Sequence, residues 1–247
     1  MTIDPKNKIE VFDSPELLGK AAAEFIIKLA NESIAARGKF SLSLSGGSTP
    51  EQLFVLLSSE NYKNRMPWTK TFVFWGDERY VPLNDSRNNA FVAKNLLLDK
   101  IDIPATNILR MPVNLEPAIA AARAYEQTLK DFFGNDLPQF DLIMLGVGEN
   151  AHTASLFPHT PVINEKKEWV SALYVDEVKM YRVTMTAPVI NNARNVLFLA
   201  AGPSKAEVLK TVLTSPFQPD KYPAQLISPV NGNLFWFLDK KAAALLV

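Results

Sequence analysis

The sequence predicts an α/β protein in which helices cover both faces of a mostly parallel sheet, giving three α/β/α layers. Short apolar segments of strand length alternate along the chain with longer segments whose apolar residues recur at helical spacing. The chain contains no internal repeat, low-complexity tract or linker, so residues 1–247 are expected to form a single domain. Ligands of such sheets bind beyond the carboxyl ends of the strands, so functional residues are expected in the loops that follow.

The first part of the chain reads as successive strand and helix units. Ser14 and Pro15 are residue types that cap and open a helix, and apolar residues follow at helical spacing. Segment 40–45 alternates apolar and hydroxyl side chains with the period of a strand, and Thr49 and Pro50 resemble the N-cap and first residue of the next helix. The predicted elements are strand 9–12, a helix from Pro15, strand 40–45, helix 51–57, strand 71–75 and a helix from about 88 to 98.

The second part of the chain continues the same alternation. Segment 140–147 is an apolar run of strand length, and the segment before it, 116–133, has helical periodicity. The remaining predictions are strands 181–186, 195–200 and 234–238, with a helix over 204–213 between the last two. Because each strand is followed by a helical segment or a long connection, the parallel arrangement is favoured.

The composition excludes several classes of function. The 26 Lys and Arg residues balance 26 Asp and Glu residues, and no basic run stands out, so no nucleic-acid partner is expected. The chain has no Cys, which excludes disulfides, thiolate catalysis and Cys-based metal sites. No apolar stretch approaches the ~20 residues of a membrane helix, and the first residues do not read as a secretory signal. We therefore expect a cytoplasmic protein without a membrane partner.

A glycine loop follows the strand at 40–45 and precedes a helix. It contains Ser45, Gly46, Gly47 and Ser48 in succession. Glycines let the backbone approach an anion closely, and the start of a helix offers free N–H donors and a positive dipole end. A phosphate or carboxylate is the expected occupant, with a plain glycine turn as the alternative. The loop lacks the Lys of a nucleotide-binding phosphate loop, so no nucleotide is predicted.

Three charged residues, Asp77, Glu78 and Arg79, directly follow the strand at 71–75. Charges at that point indicate ligand contact more strongly than charges on a helix face. We expect Arg79 to bind an anionic ligand and Asp77 or Glu78 to orient it, while a solvated turn with local ion pairs is the alternative.

One of the two histidines, His152, lies just after the strand at 140–147, between a glycine turn and a short segment of helical character. A neutral imidazole there can take a proton from water, which makes His152 the candidate general base. His159 is expected to be structural or exposed. Two cations are further candidates for ligand contact, Arg182 in a strand and Lys205 at a helix start. A positive charge at a helix start is unfavourable next to the helix dipole, so Lys205 is a candidate for contact with an anion.

Taken together, these segments resemble the 6-phosphogluconolactonase family over nearly the whole chain. The matching pieces are 44–50, 77–82 with Asn89, 146–158, 182–186, Gly202 with Lys205, and 232–239. The resemblance implies a Rossmann-like domain that hydrolyses a phosphorylated sugar lactone without a cofactor or metal. It implies that His152 activates water, with Arg79 and Asp77 beside it, and that Ser45, Gly46, Gly47, Ser48, Asn89, Arg182 and Lys205 contact the substrate.

The chain departs from that family next to the candidate base. The family usually has Asp-Gly before this His, where this sequence has Asn150 and Ala151. Asn150 can still orient the imidazole by hydrogen bonding, and Asn150→Asp is expected to hold or raise activity if a carboxylate orients the base. Ala151 must either avoid a positive φ or accept strain.

Two other functions stay open. One is a glucosamine-6-phosphate deaminase or isomerase, whose chemistry needs a carboxylate base and whose sequences typically continue Asp-Gly-His-Ile-Ala-Phe. Residues 153–158 of this chain, Thr-Ala-Ser-Leu-Phe-Pro, favour the lactonase instead. The other is a sugar-phosphate-binding protein without catalysis.

Overall fold

The computed structural model describes residues 3–246, which form two sheets and the helices around them. The strands are β1 (Asn7–Phe12), β2 (Phe40–Leu44), β3 (Thr71–Trp75), β4 (Asp77–Arg79), β5 (Leu142–Leu145), β6 (Val170–Val175), β7 (Met180–Met185), β8 (Asn195–Ala200) and β9 (Asn233–Asp239). The α-helices are α1 (Pro15–Arg37), α2 (Ser48–Leu57), α3 (Asn89–Leu96), α4 (Ala118–Phe133), α5 (Ala187–Asn191) and α6 (Ala206–Thr214).

The larger sheet has the order β1-β9-β8-β5-β2-β3, and every neighbouring pair is parallel. Both of its faces are buried. In β3, Phe74 packs into one apolar core and Val73 and Trp75 into the other, so successive side chains serve opposite faces. The fold class predicted from the sequence, a three-layer α/β/α protein with a mostly parallel sheet, is confirmed.

The smaller sheet, β4-β7-β6, is antiparallel and was not predicted. The sequence predicts a loop at 77–79, no element at 170–175, and a strand at 181–186 that belongs to the parallel alternation. In the structure β4 continues from β3 through Gly76, whose carbonyl accepts the N–H of Met185 at 2.8 Å. The smaller sheet thereby starts where β3 ends.

Several helix starts differ from the sequence prediction by a few residues. Helix α2 begins at Ser48 with Gly47 as its N-cap, so the predicted cap at Thr49 is wrong. Gly47 has φ of 114°, which only glycine adopts readily, and the helix can therefore begin directly after it. A 3₁₀ turn, Pro203–Lys205, precedes α6, so Lys205 does lie at a helix start.

The direction in which successive strands are added to the larger sheet reverses between β2 and β5. From β2 the chain proceeds to β3 on one side, whereas from β5 it proceeds toward β8 on the other. The loops after these two adjacent strands diverge, which opens a crevice at their carboxyl ends. None of the helices within residues 3–246 combines the length and apolar character needed to cross a bilayer.

Candidate active site

A pocket of about 220 Å³ occupies this crevice, open to solvent. It is lined by the two divergent loops, the smaller sheet and the start of α6: Ser45, Gly46, Gly47, Asp77, Arg79, Asn89, Gly146, Val147, Gly148, His152, Ala154, Ser155, Phe157, Arg182 and Lys205. The structure thus brings together all the candidate residues except Ser48, Glu78 and Asn150. Ser48 is exposed as the first residue of α2, and Asn150 stands behind His152.

The glycine loop is held against Asn89 on one wall of the pocket. A Cβ on Gly46 would overlap the Asn89 side chain, so only glycine fits there. The Asn89 amide in turn donates from Nδ2 to the Asp77 carbonyl at 3.0 Å. At the end of the loop, Gly47 offers α2 no side-chain cap, so the first amides of that helix remain available to an anion.

Two guanidinium groups lie side by side on the smaller sheet. Arg79 and Arg182 are directly opposed residues of β4 and β7. Like charges at such positions destabilise a sheet unless an anion or carboxylate offsets them. Both Nε atoms are buried and have no hydrogen-bond partner among the described residues, although Arg79 donates from Nη1 to the Arg87 carbonyl at 2.8 Å. Burial lowers the pKa of Arg182, and the nearby Asp77 opposes that change.

The two acidic residues of β4 face different ways, as successive residues of a strand do. Asp77 lines the pocket and accepts a hydrogen bond from the Ser155 hydroxyl at 2.7 Å. Glu78 is buried under α3, where it accepts the backbone N–H groups of Asn89 at 2.7 Å and Ala90 at 2.9 Å. Burial raises the pKa of Glu78 to about 7. Of the two acids expected to orient a ligand, only Asp77 is in a position to do so.

The His152 ring is fixed on three sides. Its Nδ1 lies 2.5 Å from Asn150 Oδ1, its ring stacks on Phe157 with centroids 4.1 Å apart, and a Cβ on Gly148 would overlap it. Burial lowers the pKa of His152 to about 4, so the imidazole is neutral at pH 7.

The Asn150 contact also determines which His152 nitrogen carries the proton. Asn150 Nδ2 donates to Glu177 Oε2 at 2.7 Å, so the amide oxygen is the atom that faces His152. An oxygen acceptor requires N–H at Nδ1, and the lone pair of the neutral ring is then on Nε2. No residue in 3–246 forms a hydrogen bond to Nε2, so that nitrogen is free to accept a proton in the pocket.

Ala151 adopts a positive φ, which is the strained one of the two backbone conformations expected from the sequence. Its φ is 65°, in the left-handed region that favours glycine, and its methyl group is buried. Its N–H donates to the Gly148 carbonyl and its carbonyl accepts the N–H of Ala224, each at 2.9 Å. These two bonds hold the backbone between Asn150 and His152. The other histidine, His159, is exposed, pairs with Asp220 at 2.7 Å and lies outside the pocket.

Sequence reasoning missed four contributors to the site. Ser155 donates to Asp77, Gly148 leaves room for the His152 ring, Phe157 stacks on that ring, and Glu177 accepts a hydrogen bond from Asn150; none of these roles was predicted from the sequence. The glycine turn at 146–148 was the one available signal, because a glycine next to a catalytic side chain often marks a close approach. Across residues 3–246 no three His, Cys, Asp or Glu side chains gather closely enough to hold a metal ion.

Comparisons with known proteins agree on one family. Residues 13–236 match the family model described as glucosamine-6-phosphate isomerases/6-phosphogluconolactonase. A 6-phosphogluconolactonase of Synechocystis sp. is 38% identical over 95% of this chain and 96% of its own length, and one of Nostoc sp. is 37% identical over 97% and 98%. The solved 6-phosphogluconolactonase from Trypanosoma cruzi superposes with a TM-score of 0.87 at 29% identity, covering 100% of this chain and 98% of that one.

Proposed function

Because this chain belongs to the family of glucosamine-6-phosphate isomerases and 6-phosphogluconolactonases, we propose that it hydrolyses 6-phospho-D-glucono-1,5-lactone to 6-phospho-D-gluconate. The reaction is the second step of the oxidative pentose phosphate pathway. It consumes only water and a small metabolite, so the chemistry requires no cofactor, metal or macromolecular partner. A cytoplasmic location fits this role and the absence of cysteine.

In the proposed mechanism His152 Nε2 accepts a proton from water as the water oxygen attacks the lactone carbonyl carbon. The three cations that line the pocket are shared between the phosphate and the negative charge that develops on the carbonyl oxygen. The tetrahedral intermediate then breaks its bond to the ring oxygen. The proton held on Nε2 passes to that leaving oxygen, which restores neutral His152 and releases the open-chain acid. A lactone is an activated ester, so no covalent enzyme intermediate is needed.

In this proposal the phosphate group of the substrate binds in a strongly positive part of the pocket. Arg79, Arg182 and Lys205 contribute three formal charges, and the uncapped first turn of α2 contributes N–H donors. Among the described residues Asp77 is the one carboxylate on this lining, and it accepts a hydrogen bond from the Ser155 hydroxyl. Binding the phosphate at a fixed place orients the lactone carbonyl relative to His152, which is how positioning contributes to the rate.

One observation favours the hydrolase over the two alternatives. His152 is neutral and firmly held, and its Nε2 is free to accept a proton in a cationic pocket. A deaminase requires a carboxylate base, whereas residue 150 is an amide, and the relatives at 37–38% identity over nearly the whole chain are 6-phosphogluconolactonases. A non-catalytic sugar-phosphate-binding protein would not require one imidazole nitrogen to be kept free of hydrogen bonds.

The test is a lactone hydrolysis assay that subtracts the spontaneous rate. His152→Ala should lower kcat by about 10²–10⁴-fold, the usual contribution of a general base, whereas His159→Ala serves as the matched control and should keep the wild-type rate. Arg79→Ala should mainly raise KM for the phosphorylated lactone. Equal rates for wild type and His152→Ala would eliminate the proposed mechanism.

A further inference from the structure

Glu177 is an exposed acid on a different part of the chain from the base. It lies in the 3₁₀ turn Asp176–Val178 that joins β6 and β7, and it does not line the pocket. Its Oε2 nevertheless accepts a hydrogen bond from Asn150 Nδ2 at 2.7 Å. The smaller sheet, which also carries Arg182, is thus connected to the residue behind His152.

The contact matters because an asparagine side chain has two chemically different ends. A carboxylate can only accept hydrogen bonds, so Glu177 requires the NH₂ end of Asn150 to face it. The oxygen end is then left for His152, where it accepts both the backbone N–H at 3.1 Å and Nδ1–H. If the amide were reversed, its NH₂ group would face Nδ1, the ring proton would move to Nε2, and the free base in the pocket would be lost.

We propose that Glu177 is a positioning residue that fixes the Asn150 amide and thereby keeps the His152 proton on Nδ1. Asn150 and Glu177 together replace the aspartate that the family usually has before this histidine. An aspartate has two equivalent oxygens and needs no partner to set its orientation, whereas an asparagine does. The catalytic consequence of this proposal rests on the proposed function, but its structural core, the His152 tautomer, does not.

The expected effect is moderate because Asn150 Oδ1 also accepts the His152 backbone N–H, which favours the same amide orientation. Removing Glu177 therefore shifts the population of the two amide orientations without abolishing the correct one. The loss of one hydrogen bond corresponds to about a threefold to tenfold change in an equilibrium. Glu177→Ala should lower kcat by about that factor while KM changes little, since Glu177 lies outside the pocket.

Two variants on the same turn serve as controls. Glu177→Gln retains an oxygen acceptor for Asn150 but adds an NH₂ group that can face the Asn150 oxygen instead, so it should recover only part of kcat. Asp176→Ala removes the neighbouring carboxylate, which forms no side-chain hydrogen bond with any residue in 3–246, and should keep the wild-type kcat. A loss for Asp176→Ala as large as that for Glu177→Ala would show an effect of charge or of turn stability and would overturn the proposal.

A double-mutant cycle separates positioning from a general structural role. With Asp at position 150 the amide orientation no longer exists, so Glu177→Ala should cost less than twofold in the Asn150→Asp background. Glu177 would even repel that carboxylate, and Asn150→Asp alone is therefore expected to gain less than the sequence by itself suggested. Equal losses in both backgrounds would mean that Glu177 acts through folding or stability, contrary to the proposal.

The tautomer can be read directly by ¹⁵N NMR of histidine-labelled protein without any substrate. The chain has only two histidines, so His159→Gln assigns the spectrum. Wild type should show His152 protonated at Nδ1, and Glu177→Ala should raise the fraction protonated at Nε2. An unchanged tautomer overturns the positioning proposal even if the lactone is hydrolysed. If the tautomer changes in a protein that hydrolyses no lactone, the result supports the positioning proposal and contradicts the proposed function.

Discussion

The low pKa of His152 predicts a specific loss of stability in acid. Burial of the ring lowers its pKa in the folded protein to about 4 from the ordinary value of 6.5. The unfolded chain therefore binds a proton to this residue at a higher pH than the folded protein does. The free energy of unfolding should be highest above pH 6.5 and should fall as the pH is lowered through 6.5 toward 4.

The size of the effect follows from the two pKa values. Each pKa unit corresponds to about 1.4 kcal/mol, so the full loss below pH 4 approaches about 3 kcal/mol. At pH 5 most unfolded chains carry the proton and most folded molecules do not, which gives a loss of about 2 kcal/mol. That is a substantial part of the stability of a typical domain.

The assay is urea unfolding of wild type and of His152→Gln at several pH values between 4.5 and 8. Gln cannot titrate, so the difference in unfolding free energy between the two proteins isolates the contribution of His152. Wild type should lose about 2 kcal/mol relative to His152→Gln between pH 8 and pH 5. His159→Gln, at an exposed position, is the control and should follow wild type. Parallel curves for wild type and His152→Gln would refute the reasoning that burial keeps this ring neutral.

Two further predictions concern glycine and the buried acid. Gly148→Ala places a Cβ in the space of the His152 ring and should lower kcat at least tenfold. At Gly146 a Cβ meets nothing within 4 Å, so Gly146→Ala should lower kcat much less. Steady-state kinetics compare the two variants, and equal losses contradict the steric argument. Burial raises the pKa of Glu78 to about 7, so its stabilising contribution falls as the pH rises from 4.5 through 7. Urea unfolding of Glu78→Gln should therefore show a larger deficit at pH 5 than at pH 8, and the opposite trend contradicts the assignment.

The parallel sheet could be predicted because its signals are local. Segment 40–44 shows the period of a strand in its own residues, and Ser14 accepts the N–H of Leu17 as a helix cap should. The carboxyl ends of parallel strands lie at one edge of the sheet, so residues in the loops after β2 and β5 line the same crevice although the loops themselves diverge. This is why most candidate residues indeed line one pocket.

The smaller sheet could not be predicted in the same way. Strand β4 has only three residues, all charged, so it offers no alternation of apolar and polar side chains. Its pairing of Arg79 with Arg182 joins distant parts of the chain, and a single sequence contains no signal for such a contact. Glu177 is a similar case, because an exposed acid in a turn has no motif that connects it to Asn150.

The strained backbone at Ala151 connects the candidate base, His152, to a segment remote from the pocket. The N–H of Ala224, in the 3₁₀ turn Pro223–Leu226, holds the Ala151 carbonyl at 2.9 Å, and this turn contributes no residue to the pocket lining. Substitutions that displace the turn would release Ala151 toward a relaxed φ and rotate the imidazole with it. In the proposed mechanism, variation in this outlying stretch would therefore alter turnover more than affinity for the substrate, because the turn contributes no residue to the pocket lining.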